Sequence, residues 1–591
     1  MKRTRFMERK WLVIILLVSL IEPVHYFLLI NYPPLGRTFM AYDSDEALVS
    51  GVMRSVEYNF DNPWSPGEKV FFNGALGSPY PYIPLGYLRI LLGIDAILMN
   101  IIAKFVFFFL FLIVLFKALE ALMPRNHELA FVLFLLPLGL MPLGYLLAFI
   151  TGIDRFAEGF SFEFSILNNI SRVYYFVPLI TAFLSLIFFS KGRRIAAAIA
   201  LGATFLFYPF FGFAFSGLLF LYSISGKHGR ISDKVNQSVA ELWKIYAIAL
   251  VFLAPWVYAR FTHPEYFVLY SENSLWWRAH LVGIIGSYFY FFFIILIANW
   301  GLVKKHWKIA TLAGLFSIII MMAELRALNV PPFNAILLPN FAVDITEIML
   351  LALFGVAWFV LDSNLDRRHK FIILFALAFF PLSILNPKYV FWMQYRMGYI
   401  LHIPLVMLAA LYFDAFLGKV KSFGIERTTV LLVLGIFAVT SFLAYNYRYQ
   451  MANRWVGSVF LEESDKESML FLDKMNSEKT IVMASDSTNY FLPVWSGQYA
   501  LYHPAESQYQ GGGPNRSEKK KDVEMFYSDS MAEEKVKEII QKYDVDYVFY
   551  GSEERKLGSP DFDSYPFLEK IYDNGAQIYK VNKSKLFASL T

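Results

Sequence analysis

The amino-acid sequence predicts an α-helical polytopic membrane protein with about 11–13 transmembrane helices, followed by an extracytoplasmic α/β domain. Three observations carry that prediction. Hydrophobic residues make up 57% of the 591 and charged residues only 17%, with a mean hydropathy of +0.46, outside the range of soluble globular chains. Apolar runs long enough to cross a bilayer, or nearly so, recur between residues 11 and 445. Beyond residue 446 the composition turns polar and the helix and strand periods of a soluble domain appear.

Taken in order, the basic flank MKRTRFMERK precedes WLVIILLVSLIEPVHYFLLI, an apolar stretch of about 20 residues without a small-residue cleavage site. It reads as a retained first helix at 11–31. Further runs fall at 96–119, 128–150, 172–190, 195–225, 242–258, 280–303, 309–323, 346–361, 371–385, 397–416 and 428–445. The basic segments MPRNHE, KGRR, KHGRISDK, KKHWK, DRRHK and GKVKSFGIER are assigned to the cytoplasmic side with the N-terminus, by the positive-inside rule. KGRR and KHGR flank one run, 195–225, so both of its ends lie inside and the run must enter and return. Pro209 supplies the break, because it lacks an N–H and disfavours helix at the residue before it. The protein is thus placed in the plasma membrane, N-terminus inside, with 446–591 as the extracytoplasmic domain and 32–95 as the first external loop.

In that domain ESDKESMLFLDKMN and MAEEKVKEIIQKY have amphipathic helical spacing, while TIVMAS, QYALY, DYVFYG and AQIYKV read as strands. GGGPNRSEKKK (511–521) is expected to be a mobile loop. The formal net charge of +5 is spread over short loops, so nucleic acid is not an expected partner, and the absence of cysteine excludes disulfides and thiolate chemistry.

The chemistry is expected outside the membrane. YDSDEALVSG (42–51) places Asp43, Asp45 and Glu46 within four positions, soon after the first apolar run, and ALVSGVMRSVEY continues with helical spacing. Acidic residues in a first helical turn are favoured by the free N–H groups and the helix dipole, so one reading is simply a capped helix start. The same three carboxylates could hold a divalent cation, Mg or Mn, since hard cations take carboxylate oxygens.

With its surroundings, the segment resembles the first external loop of the GT-C superfamily of membrane glycosyltransferases, particularly the branch of protein mannosyltransferases and aminoarabinose transferases. Asp45-Glu46-Ala47 opens a helix after the first span, Pro81 and Pro84 follow, and Leu91-Leu92-Gly93 precedes the second span. The Tyr208-Pro209 break resembles the paired short helices of GT-C proteins. FLPVWSGQYALYHPAE and KYDVDYVFYGSEE are similar to the external domain of uncharacterised archaeal and bacterial GT-C-like membrane proteins. The tryptophan-rich acceptor motif of oligosaccharyltransferases is missing, and SPYPYIP replaces the Lys-Pro-Pro stretch of the aminoarabinose branch.

The resemblance implies a polyprenyl- or dolichyl-phosphate sugar donor, a glycan, lipid or protein acceptor, and inverting transfer with an Asp base: Asp45 first, Asp43 second, with Glu46 orienting either. Fixed positive charge for the donor phosphate is expected from Arg396, then Lys388 and Arg326. His263 and His280, with Trp276 and Trp277, are candidates for an acceptor groove, although tryptophans here also read as an interfacial belt. Two other readings stay open, a transporter or flippase of lipid-linked glycans and a non-catalytic scaffold. Glu22, His25, Lys104, His402 and Asp414 fall within spans but read as isolated or near span ends, which disfavours the transporter.

Overall fold

The computed structural model describes residues 8–31, 33, 36–41, 44–69, 80–136, 173–262, 281–308, 311, 315, 355–384, 395–436, 460–475, 478–502, 516–529 and 531–588. Most of the expected span at 309–323, the first part of 346–361 (up to 354), the second half of 128–150, and most of the loops at 260–280, 324–346 and 386–396 lie outside them.

Pro23 removes the N–H that would pair with the Ser19 carbonyl, so the first apolar run forms two helices, α1 (Arg9–Ser19) and α2 (Ile21–Asn31), with a turn at Leu20. Strand β1 (Arg37–Phe39) and helix α3 (Ser44–Arg54) follow, the latter continuing as a 3₁₀ turn, Ser55–Tyr58. After the short pair β2 (Asp61–Asn62) and β3 (Ser65–Lys69) comes α4 (Tyr82–Leu92), which ends at Gly93 with φ of 64°. Asp95 then caps α5 (Ala96–Leu122), its Oδ1 accepting the Leu98 N–H at 2.8 Å. At 1.5 Å per residue, α5 is about 40 Å long, enough to cross a bilayer. Leu98, Ile102, Val106 and Leu110, four residues apart, form an exposed apolar stripe on it, as a hydrocarbon solvent permits; Asn100, Lys104, Phe108 and Phe111 face inward.

The bundle continues through α6 (His127–Leu135), α7 (Val173–Ser190), α8 (Arg194–Phe207), α9 (Pro209–Ile224), α10 (Ile231–Val251), α11 (Ala254–Thr262), α12 (Leu281–Ala298), α13 (Trp300–Lys305), α14 (Arg367–Ile384), α15 (Tyr395–Ser422) and α16 (Arg427–Ile436). The expected hairpin is present: α8 ends at Tyr208, Pro209 opens α9, and Gly212 lets the ring of Phe205 lie against the return helix. The span expected at 242–258 is instead the end of α10 and the start of α11, because Pro255 disfavours helix just before it. Among the described residues α5 and the Ile400–Ser422 part of α15 are long and apolar enough to cross a membrane, and the other apolar helices are shorter.

The polar region holds β4 (Phe460–Glu462), α17 (Glu463–Met475), β5 (Ile481–Met483), α18 (Asp486–Ser496), β6 (Tyr499–Ala500), α19 (Arg516–Phe526), α20 (Glu533–Lys542), β7 (Tyr547–Tyr550), β8 (Leu568–Asp573), β9 (Gln577–Val581) and α21 (Lys583–Ala588). All four expected strands and both expected helices are there. The loop expected at 511–521 needs correcting from Arg516 onward, where α19 begins. Its Lys and Glu residues are good helix formers, and Lys542 of α20 reaches Glu518 and Asp522 on it at 2.6 and 2.7 Å. The sheet order is β6-β5-β7-β9-β8, the first three strands parallel and the last two antiparallel. Alternation sends the two faces into different cores. Met483, Val548, Tyr550 and Tyr579 meet α19 and α20, whereas Val482, Tyr547, Phe549 and Ile578 belong to a core continuous with the helical bundle.

Candidate active site

The acidic segment sits where bundle and sheet domain meet. Helix α3 starts at Ser44, so Asp45 and Glu46 stand in its first turn, as the spacing predicts. Asp43 and the side chain of Asp45 lie outside the described residues. Glu46 is buried against the bundle, and the side chains of Glu46 and Lys104 are each 1% exposed. Lys104 Nζ on α5 is 2.5 Å from Glu46 Oε1, the Tyr26 hydroxyl on α2 donates to the same oxygen at 2.7 Å, and Asn100 Nδ2, one turn before Lys104, donates at 3.0 Å. Lys104 also donates to the Tyr26 hydroxyl and lies over its ring, 4.7 Å from the centroid.

This corrects the view of Lys104 as an isolated residue in a span. An ammonium in an apolar bundle requires a counter-charge, and Glu46, far from it in sequence, supplies one. His402 is also fully buried, stacked between Phe134 and Tyr288 at ring distances of 4.8 and 5.4 Å, and Asp414 is exposed on α15.

The other end of α3 is fastened to the sheet domain. Arg54, in its last turn, donates to Asp473 Oδ1 of α17 at 2.8 Å, to the Val494 carbonyl of α18 at 2.8 Å and to Glu57 at 2.9 Å. Arg89 of α4 pairs with Glu57, and Lys479 approaches that carboxylate at 3.7 Å. Burial first, then the nearby Arg54 charge, pushes Arg89 down to about 10 and Lys479 down to about 8. Burial also pushes the Tyr58 hydroxyl upward; it reaches the Gln498 carbonyl at 3.2 Å. Gly497 has φ of 62° and a side chain there would overlap Arg54 and Asp473, so only glycine fits this crossing.

Further stitches follow the same seam. Strand β1 pairs antiparallel with β4, Arg37 opposite Glu462 and Phe39 opposite Phe460. Trp495 Nε1 donates to the Met40 carbonyl at 3.2 Å, and Trp64 Nε1 to the Asn489 carbonyl at 2.8 Å. The Trp64 ring lies where a side chain on Gly51 of α3 would be, and Gly86 of α4 allows the Met53 carbonyl of α3 to come close. Helix α3 is therefore tied to the bundle at its acidic end and to the sheet domain at its basic end.

Of the expected phosphate ligands, Arg396 lies in the first turn of α15, where only its backbone is described; Lys388 and Arg326 lie outside the described residues, as do His263, His280, Trp276 and Trp277. A divalent cation does not fit at Glu46, because the Lys104 ammonium already occupies that carboxylate and would repel it. Asp43 and Asp45 remain the candidates for such a site. The spacing missed Lys104, Tyr26, Asn100, Arg54 and Asp473. The signal for Lys104 and Asn100 is a lysine inside LMNIIAKFVFFF with an asparagine one turn earlier, a polar pair that an apolar helix has to satisfy.

No family model and no curated protein matches the chain. Solved structures do resemble it. The archaeal oligosaccharyltransferase AglB from Archaeoglobus fulgidus, in complex with an inhibitory peptide and a dolichol-phosphate, is 12% identical with a TM-score of 0.44, over 91% of this chain and 69% of that one. The arabinofuranosyltransferase AftD from Mycobacteria is 12% identical with a TM-score of 0.46, over 97% of this chain and 40% of that one. ArnT from Cupriavidus metallidurans, bound to undecaprenyl phosphate, is 14% identical with a TM-score of 0.41, over 98% and 99%. All three are GT-C membrane glycosyltransferases. At these identities and scores the likeness assigns no residue a role.

Proposed function

We propose that the chain is a membrane glycosyltransferase of the GT-C type, moving a sugar from a polyprenyl- or dolichyl-phosphate carrier to an acceptor hydroxyl on the extracytoplasmic face. The observation that carries this reading is the acidic turn of α3, held at the junction of apolar bundle and polar domain with one of its carboxylates already neutralised. A lipid-borne sugar phosphate is a substrate that has to be met at such a boundary.

In this reading Asp45 takes the proton from the acceptor hydroxyl, with Asp43 as the second choice. The acceptor oxygen attacks the anomeric carbon from the face opposite the phosphate, the carbon–oxygen bond to phosphate breaks, and the lipid phosphate leaves with the bonding pair. Glu46, engaged by Lys104, orients rather than abstracts. Arg396 holds the leaving phosphate, where the free N–H groups of the first turn of α15 add to its charge. Lys388 and Arg326 are further phosphate candidates, and His263, Trp276 and Trp277 line the acceptor side. A divalent ion, if used, would bind Asp43 and Asp45. In this reading the N-terminus and basic segments lie in the cytoplasm and the sheet domain outside.

Asp45→Asn tests this. Cells carrying it should make normal amounts of protein and lose one lipid-linked or surface glycan, seen by mass spectrometry of extracted glycolipids and glycans; unchanged profiles at normal protein levels would overturn the reading. One observation favours a flippase of lipid-linked glycans as the second reading, the Glu46–Lys104 pair inside the bundle, with Lys104 about 12 Å along α5 from its start. A flippase would keep moving its glycolipid across the membrane in the Asp45→Asn form.

A further inference from the structure

We infer that Lys104 is a positioning residue of the acidic turn, fixing through Glu46 the place at which Asp45 works. The inference rests on the glycosyltransferase reading and concerns residues outside the acidic segment itself.

The geometry goes beyond what burial of a charge needs. A single oxygen, Glu46 Oε1, takes donors from Tyr26 on α2 and from Asn100 and Lys104 on α5. Three donors from two helices hold that oxygen, and Lys104 also donates to the Tyr26 hydroxyl. An apolar pair of the same volume would fill the space and leave the first turn free to slide or rotate. Buried ion pairs add little to stability over such a pair, so what this one supplies is direction. Asp45 precedes Glu46, and adjacent Cα atoms are about 3.8 Å apart. Wherever Glu46 is held, the backbone of Asp45 is held too. A displacement of about 1 Å at a reacting group can reduce turnover about a hundredfold.

Charge points the same way. The segment carries three carboxylates, and the Lys104 amine beside Glu46 offsets negative charge where a phosphate would arrive. Asn100 contributes its donor while its Oδ1 has no hydrogen-bond partner among the described residues, so it too serves Glu46.

The test uses full-length protein in lipid nanodiscs and the double variant Glu46→Gln/Lys104→Met, which removes both charges and keeps volume and an acceptor oxygen. Turnover is followed as release of undecaprenyl phosphate from undecaprenyl-phosphate-linked mannose, glucose and arabinose incubated with native membrane glycolipids. Binding of undecaprenyl phosphate is titrated on the same preparation. The double variant should bind undecaprenyl phosphate as the wild type does, with KM for the donor within about threefold and kcat lower by about tenfold or more; a merely structural pair would leave kcat per bound site unchanged, and that result overturns the inference. Should the double variant not fold, Asn100→Leu, which deletes one donor, should lower kcat about threefold at unchanged binding, and wild-type kcat there overturns it equally. Asp45→Asn is run in parallel. If Asp45→Asn turns over normally, the glycosyltransferase reading fails and this inference with it; if Asp45→Asn is inactive and the double variant is fully active, only this inference fails.

Discussion

Glu46 in the helical bundle and Glu554 in the sheet domain are both carboxylates shut off from water, yet each is stabilised by a different kind of partner. Glu46 Oε1 accepts from three side chains that reach it from α2 and α5, an ammonium, a phenol and an amide. Glu554 accepts the backbone N–H groups of Ser485 and Gly551 at 2.8 and 2.9 Å, where β5 and β7 end, together with hydrogen bonds from the Ser485 and Thr488 side chains. The difference follows from where backbone donors are free. Helices α2 and α5 use their own N–H groups internally, so they can reach Glu46 only with side chains, an ammonium among them. The ends of parallel strands leave N–H groups open, and a carboxylate can be satisfied without one.

Breaking the two sites should therefore give unequal losses. Lys104→Met alone leaves Glu46 as an uncompensated charge and should cost about 3–5 kcal/mol, seen as a large fall in melting temperature or loss of monodisperse protein on size exclusion. Glu554→Gln keeps one acceptor and turns an amide N–H toward the other donor, a smaller cost of about 1–3 kcal/mol in the same melting assay. Equal losses would mean that the cation at Glu46 is no more than another hydrogen-bond donor.

The smallest effect is a slope with pH. Burial raises the Glu554 carboxyl above its usual value, and burial likewise raises Asp465, which accepts from Ser552. A raised folded-state value means that the native form binds the proton more tightly than the unfolded chain. Between the ordinary carboxyl value and the raised one, stability then falls as pH rises, and the charged form carries the burial cost at neutral pH. Melting curves from pH 4 to 7 should show this slope in the wild type and a shallower one in Glu554→Gln; identical slopes would remove Glu554 from the account.

Much of the fold was legible because the signals were local. The α8–α9 hairpin followed from Pro209 between two basic ends, and β5, β7 and β9 from short apolar runs beside turn residues. Helix α19 reads as loop in the sequence because Gly511–Gly512–Gly513–Pro514 precedes it, although its own Lys and Glu residues favour helix. The site was legible only in part. Asp45 and Glu46 read as a first turn and stand in one, but Lys104 beside Glu46 and Asp473 beside Arg54 lie 58 and 419 residues away in sequence. Pairings at such separations leave no periodicity, and only the expense of an unpaired lysine in an apolar run hints at them.

The antiparallel pairing of β1 with β4 carries a consequence for synthesis. Phe39 emerges first, and its partner Phe460 is made about 420 residues later, a wait of roughly 20–80 s at about 5–20 residues per second. Until then the edge of β1 and the flank of α3 have no cover. The nascent polypeptide thus passes through a long interval in which β1 is open to wrong pairing, and production of the folded molecule depends on whatever shields that strand until β4 is made.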